Sequence, residues 1–295
     1  MTARIISGTE IAQKIREELK EEIDLLKSRH GITPGLATVI VGDDPASQTY
    51  VSSKIKSCQA LGIFSTNYPL HESTSEKELL YLVKTLNDDP TINGILVQVP
   101  LPKHINENKV LTAIHPDKDV DGFHPVNIGR MVIGEQGLLP CTPAGIQQML
   151  MRSHVETNGA EVVIVGRSNI VGKPIANMLM QKAGGANATV TVCHSATRDI
   201  ASHTRRADIL ISAIGKPRFI TADMVKPGAT VIDVGTNEIG KTPAGKRILC
   251  GDVDFDNVKT VAGAITPVPG GVGPMTIVIL MANTVKAAKL AHGLQ

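Results

Sequence analysis

Short apolar runs alternate with helix-period stretches along nearly the whole chain, and that alternation most limits what it can fold into. The runs 36–41 (LATVIV), 92–99 (INGILVQV), 161–165 (EVVIV), 189–193 (TVTVC), 207–214 (ADILISAI) and 229–234 (ATVIDV) read as buried strands, with 64–70 a weaker candidate. Between them lie helical patterns. Residues 7–29 place Ile11, Ile15, Leu19, Ile23 and Leu26 on one face and end at His30-Gly31. Residues 75–87 are capped by Ser73, Thr74 or Ser75 and stop at Asp88-Asp89-Pro90. Further helices are predicted over 144–153 with Thr142 as cap, 171–181, 199–206, 221–225 and, strongly apolar, 275–292; 240–245 reads as a turn-rich excursion. Strand–helix alternation of this kind implies an α/β fold with parallel sheet. At 295 residues the chain is long enough for two domains.

Composition narrows the function. Net charge is +2 with no long basic run, so there is no electrostatic footprint for nucleic acid or a membrane surface. Aromatics are 2 % and Trp is absent, which argues against base-stacking platforms. Cys58, Cys141, Cys193 and Cys250 are far apart and form no C-x-x-C pair, as expected of reduced thiols in a cytoplasmic protein. The opening MTARIISGTE turns polar too soon for a signal peptide, and no membrane span is expected. With no HExxH, Cys/His cluster or Walker motif, no protein-held metal is expected.

The stretch 42–58, GDDPASQTYVSSKIKSC, follows the first strand. Asp43 or Asp44 can cap a helix whose first turn takes Pro45, running to Leu61 and stopping at Gly62. Tyr50 and Lys54, four apart, then share a face near the carboxyl end of a strand, where open α/β sheets bind ligands. A lysine held against a protein wall beside an aromatic ring can serve as acid or base. A solvated lysine beside a half-buried tyrosine meets the same pattern. Gln98, at the end of run 92–99, offers a neutral amide to a ligand and a lysine, or is a strand-rim glutamine. In HPDKDVDGFH (115–124), Asp117, Asp119, Asp121 and Gly122 copy the first half of an EF-hand loop, but its twelfth position is Ile128, so calcium is rejected. Asp121 is the ligand candidate there; Asp117 and Asp119 read as turn and surface residues.

Strand 161–165 runs into GRSNIVGKP (166–174). As a Walker A it has five residues rather than four between Gly166 and Gly172-Lys173, and Pro174 in place of Ser or Thr. As a nucleophile elbow it has Ile170 where the second glycine belongs. As a dinucleotide turn it fits its context, with Ser168 replacing the second glycine. After 189–193 an NAD site would usually carry an acid for the ribose. This chain offers His194, Ser195, Ala196 and Thr197, with Arg167 in the glycine turn. A guanidinium plus hydroxyls suits a 2′-phosphate, so NADP is expected over NAD. Finally, ITPVPGGVGPMT (265–276) reads as a loop leading into the last helix, with N–H groups free to face a ligand or simply joining two domains.

Taken together, PASQTYVSSKIKSC, ILVQVPLP, HPDKDVDGFHPVNIGR, CTPAGI, VGRSNIVGKP, VIDVG and ITPVPGGVGPMT resemble one family: the bifunctional methylenetetrahydrofolate dehydrogenase/methenyltetrahydrofolate cyclohydrolases. The resemblance implies an α/β folate domain (1–143 and 275–295) completed by the C-terminal helix, an inserted Rossmann-type NADP domain (144–274), and an active site in the cleft between them. It implies that Lys54 is the catalytic lysine, Tyr50 its neighbour under the folate, Gln98 its hydrogen-bond partner and Asp121 the pterin anchor. Gly166, Arg167 and Ser168 would hold NADP, with Ser195 near the phosphate and Thr236 near the nicotinamide; Pro269, Gly270 and Gly271 would wall the folate pocket. It also implies a cytoplasmic homodimer serving one-carbon metabolism and purine biosynthesis. Two features depart from the family pattern: a longer stretch at 182–188 (KAGGANA), placed to reshape the adenosine end, and Thr236 where isoleucine is expected. A dehydrogenase-only enzyme of the same fold, NAD-dependent or not, and a non-catalytic folate- or nucleotide-binding module are the rival expectations.

Overall fold

The computed structural model describes residues 2–242, Gly245 and 247–294. The chain begins with β1 (Arg4–Ile5) and α1 (Gly8–His30), whose buried Ile15, Leu19, Ile23 and Leu26 are the apolar stripe seen in the sequence. Then follow β2 (Gly35–Val41), α2 (Pro45–Leu61), β3 (Phe64–Leu70), α3 (Glu76–Asp88), β4 (Gly94–Val97), α4 (Glu107–Leu111), a 3-10 turn at Pro116–Lys118 and α5 (Pro125–Ile133). Strands β3-β2-β4 make a parallel sheet with β2 in the middle and all seven of its residues buried, as a strand covered on both faces requires. Leu79, Val83 and Leu86 of α3 pack on Val39, Ile95 and Val97 in its core.

The second half continues through α6 (Cys141–Arg152), β5 (Glu161–Val165), α7 (Gly172–Leu179), β6 (Thr189–Cys193), α8 (Ile200–Thr204), β7 (Ile209–Ser212), a 3-10 turn at Ala222–Met224 and β8 (Thr230–Asp233). An antiparallel hairpin of β9 (Asn237–Lys241) and β10 (Arg247–Cys250) precedes α9 (Phe255–Val258), β11 (Ala264–Ile265) and α10 (Val272–Ala291). Six parallel strands in the order β1-β11-β8-β7-β5-β6 form the second sheet. The winding reverses between β5 and β7, a topological switch point of the doubly wound kind; β2 and β4 mark the equivalent place in the three-stranded sheet.

The chain divides into two compact units: residues 14–141 with 277–294, and residues 2–13 with 142–276. Residues 2–13 thus group with the second unit rather than with the expected folate domain, because β1 hydrogen-bonds β11 at the edge of the six-stranded sheet. Other expectations also shift. Thr142 lies inside α6 rather than capping it, and its hydroxyl meets Thr276 Oγ1 at 2.9 Å. The excursion after residue 236 is a hairpin; of its expected turn, Pro243 and Ala244 lie outside the described residues. The loop 265–276 is shorter than predicted, since α10 starts at Val272 with Pro274 in its first turn. By length and composition alone α10 would suffice to cross a membrane. Its Met275, Val278, Leu280, Met281, Val285 and Ala288 are buried, so it serves as a core helix.

Candidate active site

Local chemistry sets up α2. The Asp44 carboxylate accepts the Ser47 N–H at 2.7 Å, Pro45 takes the first turn, and Gly62, at φ +77, closes the helix. This fixes Lys54 on the face next to the β4 end, where it is only 8 % exposed. Its Nζ donates to Gln98 Oε1 at 3.0 Å. Gln98 is held in turn: its backbone N–H continues the sheet to the Val39 carbonyl (2.8 Å), and its Nε2 donates to the Val99 carbonyl (2.8 Å), leaving Oε1 for the lysine. Tyr50, one turn before Lys54, is 50 % exposed.

Asp121 completes the group. Burial pushes its carboxyl up, the Lys54 ammonium pulls it back, and the Asp119 charge adds to the rise. Asp119 is not the surface residue expected. It is buried, accepting the His124 N–H (2.7 Å) and Asn127 Nδ2 (3.1 Å), and burial raises its carboxyl too. Asp117 does stay exposed and pairs with Arg130. Two further residues shape the Asp121 backbone and escaped the sequence reading. Asn283 of α10 donates through Nδ2 to the Val120 and Leu139 carbonyls, each at 2.8 Å, and the Cys141 thiol donates to the Val120 carbonyl at 3.2 Å. Burial, reinforced by the Asp121 charge, holds that thiol well above its ordinary range. An amide and a thiol in apolar helices carry no sequence signal of this kind; only their buried partners reveal it.

In the other unit, Gly166 follows β5 at φ +135. A Cβ there would collide with the Ala213 carbonyl beyond β7, and one on Gly172 with the Gly166 carbonyl. Backbone therefore closes tightly at the switch point, as a dinucleotide turn requires. The Ser168 hydroxyl accepts the N–H groups of Val171 (3.1 Å) and Gly172 (3.4 Å), closing the turn ahead of α7. Arg167, Ser195 and Thr236 are exposed at the carboxyl ends of β5, β6 and β8. The Gly270 carbonyl accepts the Thr9 N–H at 3.1 Å; a Cβ on Gly8 would strike the Gly271 carbonyl, and one on Gly271 the Pro267 carbonyl. Lys54, Gln98, Tyr50 and Asp121 thus belong to one unit, and Gly166–Ser168, Ser195, Thr236 and Pro269–Gly271 to the other.

Residues 6–121 match the family model described as tetrahydrofolate dehydrogenase/cyclohydrolase, catalytic domain, and residues 140–292 match its NAD(P)-binding domain. The chain belongs to the tetrahydrofolate dehydrogenase/cyclohydrolase family. A bifunctional protein FolD from Dehalococcoides mccartyi is 66% identical over 294 residues, covering 100% of this chain and 99% of that protein. The crystal structure of the FolD methylenetetrahydrofolate dehydrogenase/cyclohydrolase from Campylobacter jejuni superposes with a TM-score of 0.91 at 48% identity, covering 98% of this chain and 99% of that one. That of the Trypanosoma brucei methylenetetrahydrofolate dehydrogenase-cyclohydrolase, complexed with NADP cofactor and an inhibitor, gives 0.92 at 40% identity, with 99% of each chain covered. The Lys54 group falls within the catalytic-domain match and the glycine turn within the NAD(P)-binding match of this family.

Proposed function

We propose that this protein oxidises 5,10-methylenetetrahydrofolate to 5,10-methenyltetrahydrofolate with NADP⁺ and then hydrolyses the product to 10-formyltetrahydrofolate. Family membership over the whole chain supports the pair of reactions, and the Lys54–Gln98 hydrogen bond beside Asp121 is the observation that carries the site. Gly166, Arg167 and Ser168 are the residues to hold the dinucleotide, with Ser195 and Arg167 toward a 2′-phosphate and Thr236 toward the nicotinamide; the close backbone packing at Gly166 fits that group. NADP⁺, when bound, supplies the hydride acceptor. Asp121 would anchor the pterin and Tyr50 pack under it, with Pro269, Gly270 and Gly271 walling the folate pocket. Lys54 would relay a proton to or from the attacking water or the folate nitrogen. Gln98 steadies the ammonium without adding a charge. The reading includes a domain arrangement with 144–274 as the nucleotide domain, a homodimer, a cytoplasmic setting and a role in supplying one-carbon units for purine synthesis.

The test is to incubate the protein with methylenetetrahydrofolate and NADP⁺ or NAD⁺, following reduced cofactor and the methenyl chromophore separately. NADPH formed quickly, with little methenyl build-up beyond its spontaneous decay, is expected. Methenyl accumulating in step with NADPH would remove the hydrolytic half, and no reduction with either cofactor would overturn the reading. The Lys54→Met variant is expected to lose hydrolysis while retaining NADP⁺ binding; lost NADP⁺ affinity would count against the assigned role.

A further inference from the structure

Two buried carboxylates in the unit of residues 142–276 have no part in the reading above. Asp252, just past β10, is fully buried. Its Oδ2 accepts the N–H groups of Ile214 (2.8 Å) and Gly215 (3.1 Å); its Oδ1 accepts the N–H of Lys216 (2.9 Å) and Nδ2 of Asn237 (2.9 Å). Three successive amides converging on one point form the sort of concavity in which other loops hold an anion. Here the chain's own carboxylate fills it. Asp233, the last residue of β8, braces the arrangement from behind: Oδ1 accepts the N–H of Asp252 (2.9 Å) and of Gly235 (3.0 Å), and Oδ2 that of Val253 (3.0 Å). The fit leaves no slack. A Cβ on Gly235 would strike the Asp252 carboxylate, and one on Gly251 the Asp233 carboxylate.

The segments that Asp252 joins, 214–216 and 235–237, leave the adjacent parallel strands β7 and β8 at their carboxyl ends. β7 is also one side of the switch point, and open α/β sheets take their ligands along this edge. All four contacts go to these two loops. A buried carboxylate is a poor way to gain stability, since desolvation offsets much of what its bonds return. We infer that Asp252 is a positioning residue for the dehydrogenase step: it sets the shape of the two loops that meet the dinucleotide, acting through Ile214–Lys216 and Asn237. The inference rests on the NADP reading above. It predicts a division between the two activities, because hydrolysis needs the Lys54 group and no cofactor.

The experiment uses two variants of the full chain. Asp252→Asn keeps the shape but turns an NH₂ toward two of the four donors; Asn237→Ala removes only the tie to the second loop. With methylenetetrahydrofolate saturating, KM for NADP⁺ is expected to rise about tenfold in Asp252→Asn and roughly threefold in Asn237→Ala, the scale of one misplaced hydrogen bond, with kcat changing less. Hydrolysis of methenyltetrahydrofolate supplied directly, without cofactor, is expected at the wild-type rate. Variants with wild-type KM would overturn the inference. So would hydrolysis falling in parallel with oxidation, which is what a general loss of folding produces. If Asp252→Asn does not fold, Asn237→Ala carries the test alone. Wild-type protein that hydrolyses methenyltetrahydrofolate but does not reduce NADP⁺ would instead remove the reading beneath the inference, and the parallel wild-type assay tells the two failures apart.

Discussion

Burial lifts the Asp233 carboxyl to about 7, aided by the Asp252 charge and opposed by three backbone N–H donors. The folded protein therefore holds a proton that the unfolded chain, at its ordinary 3.8, has already released. Where the native state binds more protons, stability falls as pH rises. This group's contribution declines from roughly pH 4 to roughly pH 7 and is level outside that window. Urea midpoints measured across it should slope downward more in wild type than in Asp233→Asn; equal slopes would refute the assignment. Asn283→Leu should act differently, because it orphans the Leu139 carbonyl and leaves the Val120 carbonyl with only the weaker Cys141 thiol, at an expected cost of about 1–3 kcal/mol. That loss is readable in the same denaturation experiment. Arg167→Ala should weaken NADP⁺ by about tenfold while leaving NAD⁺ nearly unchanged, given the strength of charge-assisted bonds to a phosphate; equal losses in titrations with both would sink the 2′-phosphate role. Gln98 was legible in the sequence because it sits at a recognisable strand end, and Lys54 because it shares a face with Tyr50 on the helix that follows β2. Asp119 and Asp252 were not, since their burial and their partners exist only once distant segments have met.

Local signals placed most elements. The Asp44 cap, Pro45 and the Gly62 stop bound α2 as the sequence predicts, and Ser75 with Glu78 forms a capping box at the start of α3. Signals failed where an element is short or set by its neighbours. β1 and β11 have two residues each, too few for any periodicity, and gain their definition from pairing with each other and with β8. Thr142 has a cap residue's chemistry, yet α6 already begins at Cys141. Asp44→Ala is expected to cost about 1 kcal/mol, the usual worth of such a cap. Because α2 carries Lys54, its loosened first turn should also lower the hydrolysis rate at unchanged KM for NADP⁺. A variant with full stability and full rate would show that the cap does not set the lysine's position.

At the scale of the whole molecule, the chain forms two units with separate cores, and the proposed cofactor residues and the Lys54 group fall in different ones. Ligand binding stabilises what it binds, so NADP⁺ at a hundred times its Kd should add about 2.7 kcal/mol. Hydrogen exchange should show the protection concentrated in 2–13 and 142–276; protection spread evenly over 14–141 would argue against the assignment. The division by chain position is less simple than two consecutive halves. α1 starts among the residues of one unit and ends among those of the other, and so does α10. A ribosome emitting this chain at about 5–20 residues per second thus releases β1 many seconds before β11, which pairs with it 260 positions later. The core around Lys54 likewise waits for α10. Neither unit is complete before α10 has been made, so the nascent protein must keep the open edges of the six-stranded sheet from pairing with strangers until β11 emerges.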